Sequence, residues 1–164
     1  MMISEEQIES VLLEIESDPD LYTESLLSLK SQQPVVAAYL FSESFDVLTN
    51  TEKEYLLYLT VVIWRSIQRS YPELPEVTED ALGEFEEQNW ERINDSSGKP
   101  FRHQLDVFFE NAPQEELLAF VEDALLLEDE ELDEWQLTKE CRTPIFIGLK
   151  SVIDGFQDQI QDQS

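Results

Sequence analysis

One histidine and one cysteine are the residues through which this chain could carry nucleophilic or His-based chemistry. His103 would have to supply the base of a catalytic triad or the imidazole of a metal site. It lies near the start of a predicted helix in which Phe101 and Leu105 are expected to face the core. We therefore interpret His103 as a surface residue and not as a catalytic one.

The single cysteine, Cys141, lies close to two basic residues, Lys139 and Arg142. A helix N-terminus is expected directly after it, and both features would lower the pKa of a thiol. No second cysteine is present to resolve an oxidised form. We interpret Cys141 as a structural thiol, and an intrachain disulfide is excluded.

The 37 acidic residues require a test for metal sites. Helical di-iron sites use Glu-x-x-His pairs, and an EF-hand loop needs a glycine among alternating ligands. The chain has no such pair, and its acidic run 128–134 has no glycine. P-loop, dinucleotide-binding, HExxH and GxSxG motifs are also missing from the sequence. The sequence predicts no catalytic residue, no cofactor and no dedicated metal site, which disfavours an enzyme.

Two tryptophans stand beside clustered carboxylates, and this pattern is typical of surfaces that bind Lys- or Arg-rich proteins. The aromatic ring can pack on a cationic side chain while the carboxylates supply charge. The alternative is that each tryptophan is the core-facing residue of an amphipathic helix. The candidate partner-binding residues are Glu86, Glu87, Trp90, Glu91, Glu128, Asp129, Glu130, Glu131, Asp133, Glu134 and Trp135.

Helix start signals recur along the chain. Ser4 and Gln7 have the spacing of a capping box, Asp18 is followed by Pro19 at a first helical position, and Thr78 precedes an amphipathic stretch. The segment 143–161 has apolar residues at helical spacing throughout. Only four glycines occur in 164 residues, fewer than a β-rich domain needs for its turns.

The segment 51–70 contains the longest apolar run, from Tyr55 to Trp64, interrupted only by Thr60. Its β-branched and aromatic composition would also suit a buried strand. We favour a buried helix capped by Thr49 or Thr51, because the flanks lack turn residues and no second strand-like run exists for pairing.

These patterns predict an all-α fold with about seven to nine helices in one globular domain, residues 1–156. Near-neutral inner helices are expected at 34–47, 51–70 and 143–161, with acidic amphipathic helices wrapped around them. The polar segment 157–164 is predicted to fray.

A faint similarity links the helix pairs 34–67 and 113–157. Leu59, Val62 and Ile63 align with Leu149, Val152 and Ile153. An internal duplication would explain this similarity, although chance resemblance between amphipathic helices is the simpler interpretation.

The net charge is −27, and three segments carry most of it: residues 1–33, 72–98 and 113–141 have net charges of −7, −8 and −10. This field disfavours nucleic acid and anionic membranes, which are bound through Lys and Arg. A basic protein is the favoured partner. The N-terminal residues lack a signal-peptide pattern, and we expect a soluble, cytoplasmic protein.

The leading functional hypothesis is a non-enzymatic acidic protein that acts through protein–protein interaction and neutralises a basic partner, as immunity proteins and antitoxins do. The alternative is a helical protein or enzyme with a carboxylate-lined pocket for a small molecule or metal. That alternative requires His103, Cys141 or two buried acids to converge in one cleft.

Overall fold

The computed structural model describes residues 2–162. These residues form helices joined by turns and short connections, and no strand is found among them. The predicted all-α class is confirmed. The elements are α1 Glu5–Ser17, α2 Pro19–Gln32, α3 Pro34–Tyr39, a 3-10 helix Glu43–Phe45, α4 Asn50–Ser70, α5 Glu79–Asn94, α6 Phe101–Gln104, α7 Asp106–Phe109, α8 Glu115–Leu125, α9 Asp129–Trp135, a 3-10 helix Lys139–Cys141 and α10 Arg142–Asp162.

The helix starts follow the capping pattern of the sequence. Ser4 and Gln7 form a capping box at α1, and the Asp18 carboxylate accepts a hydrogen bond from the first turn of α2. Thr49, one of the two predicted candidates, caps α4, and Thr78 caps α5. Each cap satisfies a backbone N–H that has no partner inside its helix.

The core is built around α4 and α10, as predicted for 51–70 and 143–161. Trp64 on α4 is fully buried, and its ring centroid lies 5.4 Å from that of Phe156 on α10. α10 packs against α4, α5 and α8, whereas α1 packs against α2, α4 and α8. The helices therefore form one compact domain around two long, weakly charged helices.

The prediction of an inner helix at 34–47 is wrong. α3 ends at Tyr39, and a turn and a 3-10 helix follow it. Phe41 and Val47 are 69% and 76% exposed. The apolar residues of this segment do not share one helical face, and the Ser-Glu-Ser sequence after Phe41 favours turns over helix. Val36, Leu40 and Phe45 are nevertheless buried in the core, and the Phe45 ring lies against Gly148.

The prediction that 157–164 frays is wrong for its described part. α10 continues to Asp162, and Ile160 is only 5% exposed. The Gln159 side chain donates a hydrogen bond to the Glu76 carbonyl at 3.2 Å. Ile160 therefore anchors the last turn, and Gln163 and Ser164 lie outside the described residues. The duplication of 34–67 and 113–157 stays a prediction.

The segment Tyr71–Thr78, here named the proline-rich connection, crosses from α4 to α5. The buried side-chain amide of Gln33 forms two hydrogen bonds with the backbone of this connection. Its oxygen accepts from the Val77 backbone N–H at 2.9 Å, and its nitrogen donates to the Pro75 carbonyl at 3.0 Å.

Within residues 2–162, no helix combines the length and apolar content that crossing a bilayer requires.

Candidate functional site

The first predicted cluster, Glu86, Glu87, Trp90 and Glu91, lies on α5. Two of its four side chains, those of Glu86 and Trp90, make contacts within the fold. Glu86 accepts hydrogen bonds from the hydroxyl groups of Tyr39 and Ser44, the second at 3.2 Å. Burial, together with this carboxylate, raises the pKa of Tyr39 well above its usual range. Trp90 is partly buried and packs against the core, whereas Glu87 and Glu91 are exposed. For Trp90, the core-facing alternative is the one that the structure shows.

The second predicted cluster lies on α9 and is exposed apart from one apolar residue. Leu132 is buried, and the carboxylates from Glu128 to Glu134 are exposed. One of these, Asp129, has a cationic neighbour, Lys139 Nζ at 3.2 Å. Trp135 is 57% exposed, so the core-facing alternative is wrong for this tryptophan.

Trp135 lies at one end of a groove that the sequence did not predict. Two adjoining cavities of about 340 and 580 Å³ share Leu12, Phe120 and Ala124 in their linings. Together they form a continuous depression, here named the acidic groove. Its lining residues are Glu5, Ile8, Glu9, Leu12, Glu16, Thr51, Glu54, Tyr55, Tyr58, Leu59, Glu116, Ala119, Phe120, Asp123, Ala124, Leu127, Trp135 and Leu137.

Helices α1 and α8 form the walls of the acidic groove side by side. Their starts are tied together, because the Ile3 backbone N–H donates to the Gln114 side-chain oxygen at 2.9 Å. Glu5 and Glu116 line only the first cavity, whereas Glu16 and Leu127 line only the second. The two helices therefore run along the groove in the same direction, and residues three and four apart on each helix face into it.

The groove is negatively charged along its length. Six carboxylates line it, from Glu5, Glu9, Glu16, Glu54, Glu116 and Asp123. None of the ten Lys and Arg residues is among its described lining residues. The floor between these carboxylates is apolar and aromatic, so charges on its rim are less screened than on an open surface.

The tyrosines of the groove floor respond to this charge. Burial first and the Glu16 carboxylate second raise the pKa of Tyr58. Burial also raises the pKa of Tyr55 to about 12, with Cys141, Tyr58 and Glu131 adding to it. The Tyr55 hydroxyl donates to the Ala124 carbonyl at 2.7 Å, which joins α4 to α8 under the groove. These hydroxyl groups stay protonated and form a neutral floor between acidic walls.

The groove joins parts of the chain that are distant in sequence. Trp135 and the α9 carboxylates were predicted from the sequence, whereas Glu9, Glu16 and Asp123 were not. One signal was available: positions 5, 9, 12 and 16 lie on one face of α1, so a carboxylate stripe runs beside Leu12. Its partner wall on α8 depends on long-range packing. The α5 cluster lies elsewhere, with Glu86 in a separate cavity of about 430 Å³ between α3 and α5.

His103 is exposed, as predicted, with its Nδ1 atom 3.6 Å from the Asp106 carboxylate. Cys141 is 2% exposed, and the expectation of a lowered thiol pKa is wrong. Burial, followed by the nearby Glu52 carboxylate, raises the pKa of Cys141 to about 12, and Arg142 offsets this only in part. His103 and Cys141 thus lie on the surface and in the core respectively, and they do not share a cleft.

A smaller cavity of about 210 Å³ lies between α8 and α10 and is lined in part by Lys150 and Asp154. These two side chains form an ion pair within α10, and the Asn89 amide donates to both Asp154 and Ser151, at 3.0 and 3.1 Å. Lys150 and Asp154 are thus already paired, and the Gln114 amide donates to the Gln157 side-chain oxygen at 2.8 Å in the same lining. Among residues 2–162, no group of three or more His, Cys, Asp or Glu is placed to hold a metal ion.

Comparison with known proteins gives no match. No family model, no curated protein and no solved structure is significantly similar to this chain.

Proposed function

We propose that this chain is a non-enzymatic binding protein whose acidic groove holds a basic segment of another protein and thereby masks it. The observation that carries the proposal is the lining of the groove, in which carboxylates stand on both walls of an apolar floor without a basic residue among them. Opposite charge on a partner would raise its association rate and exclude acidic competitors.

The distribution of basic residues over the chain supports this proposal. The carboxylates of Glu14 and Asp154 have intramolecular cationic partners, Arg69 and Lys150. The groove carboxylates have no such cation in their lining, although two of the three most acidic segments meet there. Like charges gathered in this way repel one another, and a basic partner would relieve that repulsion.

Masking is the expected consequence of such binding. A partner segment seated in the groove would lose access to other anionic ligands, which is how an immunity protein or antitoxin neutralises a basic enzyme. The proposal places this interaction in the cytoplasm, where a single free thiol such as Cys141 is stable.

Affinity purification from the native source at low salt, with elution by increasing salt, tests the proposal when three proteins are compared. The groove variant carries Glu9→Gln, Glu16→Gln and Asp123→Asn. The control variant carries Glu24→Gln, Glu84→Gln and Glu110→Gln, at exposed carboxylates outside the groove lining. Both variants lose the same charge from exposed positions.

We expect the wild type and the control variant to retain the same basic protein at about 50 mM salt and to release it near 0.5 M, where the screening length falls to a few ångströms. The groove variant should not retain it. Equal retention by both variants, or retention that salt does not affect, would refute the proposal.

A further inference from the structure

The shape of the acidic groove defines its occupant more closely. We infer that the groove receives one amphipathic, basic α-helix of the partner, with the apolar stripe of that helix on the groove floor and its Lys and Arg residues toward the two acidic walls. This inference rests on the proposed function and adds the conformation and residue pattern of the bound segment.

The dimensions fit a helix. From Glu5 to Glu16, the α1 wall extends about 17 Å, since each helical residue advances about 1.5 Å. α8 lies beside α1 in the same direction, so the depression between them is the space into which a third helix packs in a bundle. A helical segment of about 14 residues, about 21 Å long, would span this wall.

The chemistry of the floor disfavours an extended segment. Leu12, Phe120, Ala124 and Leu127 offer no side-chain hydrogen-bonding groups, and the Tyr55 hydroxyl already donates to the Ala124 carbonyl. Thr51 and Tyr58 are the only other uncharged residues of the described lining with a side-chain hydroxyl, and two hydroxyl groups are too few to pair with an extended backbone. An extended chain would therefore leave backbone N–H and C=O groups without partners over this floor. A helix satisfies its own backbone groups, and no described strand offers an edge for β-addition.

The acidic walls of the groove favour basic residues along both flanks of the bound helix. Glu9 on α1 lines the same cavity as Asp123 on α8, and Glu16 on α1 lines the adjoining cavity. Lys or Arg residues that flank the apolar stripe of the bound helix would therefore lie near carboxylates of α1 on one side and of α8 on the other. A second copy of this chain is disfavoured as the occupant, because it would carry the same −27 charge into an acidic site.

Trp135 marks one end of the groove and provides the readout. Its side chain is 57% exposed, whereas Trp64 is fully buried and Trp90 packs against the core. A helix seated over the floor would cover Trp135 and shift its fluorescence toward shorter wavelengths. Trp135→Phe identifies that component of the signal.

Two synthetic peptides of about 14 residues test the inference. Both contain the same Leu and Lys residues. In the first, Leu recurs at positions i, i+3, i+4 and i+7, and in the second the order is scrambled. Both peptides are largely unfolded when free, because isolated helices of this length are marginal in water. Affinity is measured by titration calorimetry, and Cα chemical shifts of the labelled peptide report its conformation.

We expect the periodic peptide to bind at least tenfold more tightly than the scrambled one, to become helical and to shift the Trp135 emission. Ala119→Trp, which fills part of the floor, should weaken the periodic peptide at least tenfold and should leave the scrambled peptide unaffected. The thermal unfolding midpoint of the Ala119→Trp variant verifies that this variant is folded.

The failures are distinguishable. If both peptides bind equally and the groove variant weakens both, the helix inference is wrong and acidic recognition stands. If the periodic peptide binds equally well to the wild type and the groove variant, the groove is not its site, and both the inference and the proposed function are refuted.

Discussion

The buried carboxylate of Glu52 is predicted to be the most sensitive single polar group of the fold. Glu52 is 1% exposed, and one oxygen accepts from the Thr49 backbone N–H at 2.9 Å. The other accepts from the backbone N–H and the hydroxyl of Thr138, at 2.8 and 2.7 Å. The residue thereby caps α4 and also ties it to the segment that leads into α10.

Glu52→Gln keeps the shape and removes one acceptor. The amide has one oxygen and one NH2 group, so the donors of either Thr49 or Thr138 must face a donor. A buried donor without a partner costs about 1–3 kcal/mol, and the lost charge weakens the remaining bonds. We expect a total loss of about 2–4 kcal/mol at neutral pH, which lowers the thermal midpoint by several degrees in a chain of this length.

The effect of Glu52→Gln should depend on pH. Burial alone would raise the pKa of Glu52, but hydrogen bonds from Thr49, Thr138 and Cys141 outweigh it and lower this pKa. A lowered folded-state pKa contributes stability that is complete above the unfolded value, about 4.3, and is lost as pH falls through the folded value. The difference between wild type and variant should therefore shrink in acid.

Chemical unfolding at neutral and acidic pH measures this difference, with Glu54→Gln as the exposed control on the same helix. The control should change the free energy of unfolding by less than about 0.5 kcal/mol. A Glu52→Gln loss as small as that of the control, or a loss that is the same at both pH values, would refute the reasoning.

Three further predictions concern the core. Gly148→Ala should destabilise the protein by about 1–3 kcal/mol, because the new Cβ would lie 2.5 Å from the Phe45 ring. Gly83→Ala should stabilise it by about 1 kcal/mol, because no atom lies within 4 Å of the new Cβ. Thermal unfolding that shows the same sign for both variants would contradict this prediction. Cys141, whose pKa is raised to about 12, should be alkylated only on unfolding, so rapid labelling of the native protein at neutral pH is the contrary result. Gln33→Ala should cost about 1–3 kcal/mol in denaturant titrations by freeing the proline-rich connection, and an unchanged midpoint would show that this amide is dispensable.

The parts of the fold that were predictable from sequence are those set by local interactions. A cap such as Ser4 or Thr78 bonds to a backbone group three residues away, so its signal lies within one turn. The periodicity of α4 and α10 is also local, and these two helices were correctly predicted as the core. The segment 157–162 shows the limit, because its polar composition predicted fraying although Ile160 continues the apolar face of α10 and packs against the domain.

The predictions that failed depend on groups distant in sequence. The thiol of Cys141 has basic neighbours along the chain, but in the fold its burial, followed by the Glu52 carboxylate, raises its pKa. Glu86 stays a predicted partner-binding residue, but sequence did not show that Tyr39 and Ser44, more than 40 positions earlier, use its carboxylate as an acceptor. Such pairings follow from packing and leave no local pattern.

The acidic groove shows why segregated charge could be recognised in sequence while the site could not. The segments 1–33 and 113–141 were each identified as acidic, but the contact between α1 and α8 decides that their carboxylates face each other. Exposed charge spread evenly over the surface would suffice for solubility. Six carboxylates around an apolar floor concentrate repulsion at one place, which opposes folding unless a cation relieves it. The position of these charges, more than their number, is therefore what favours recognition over solubility.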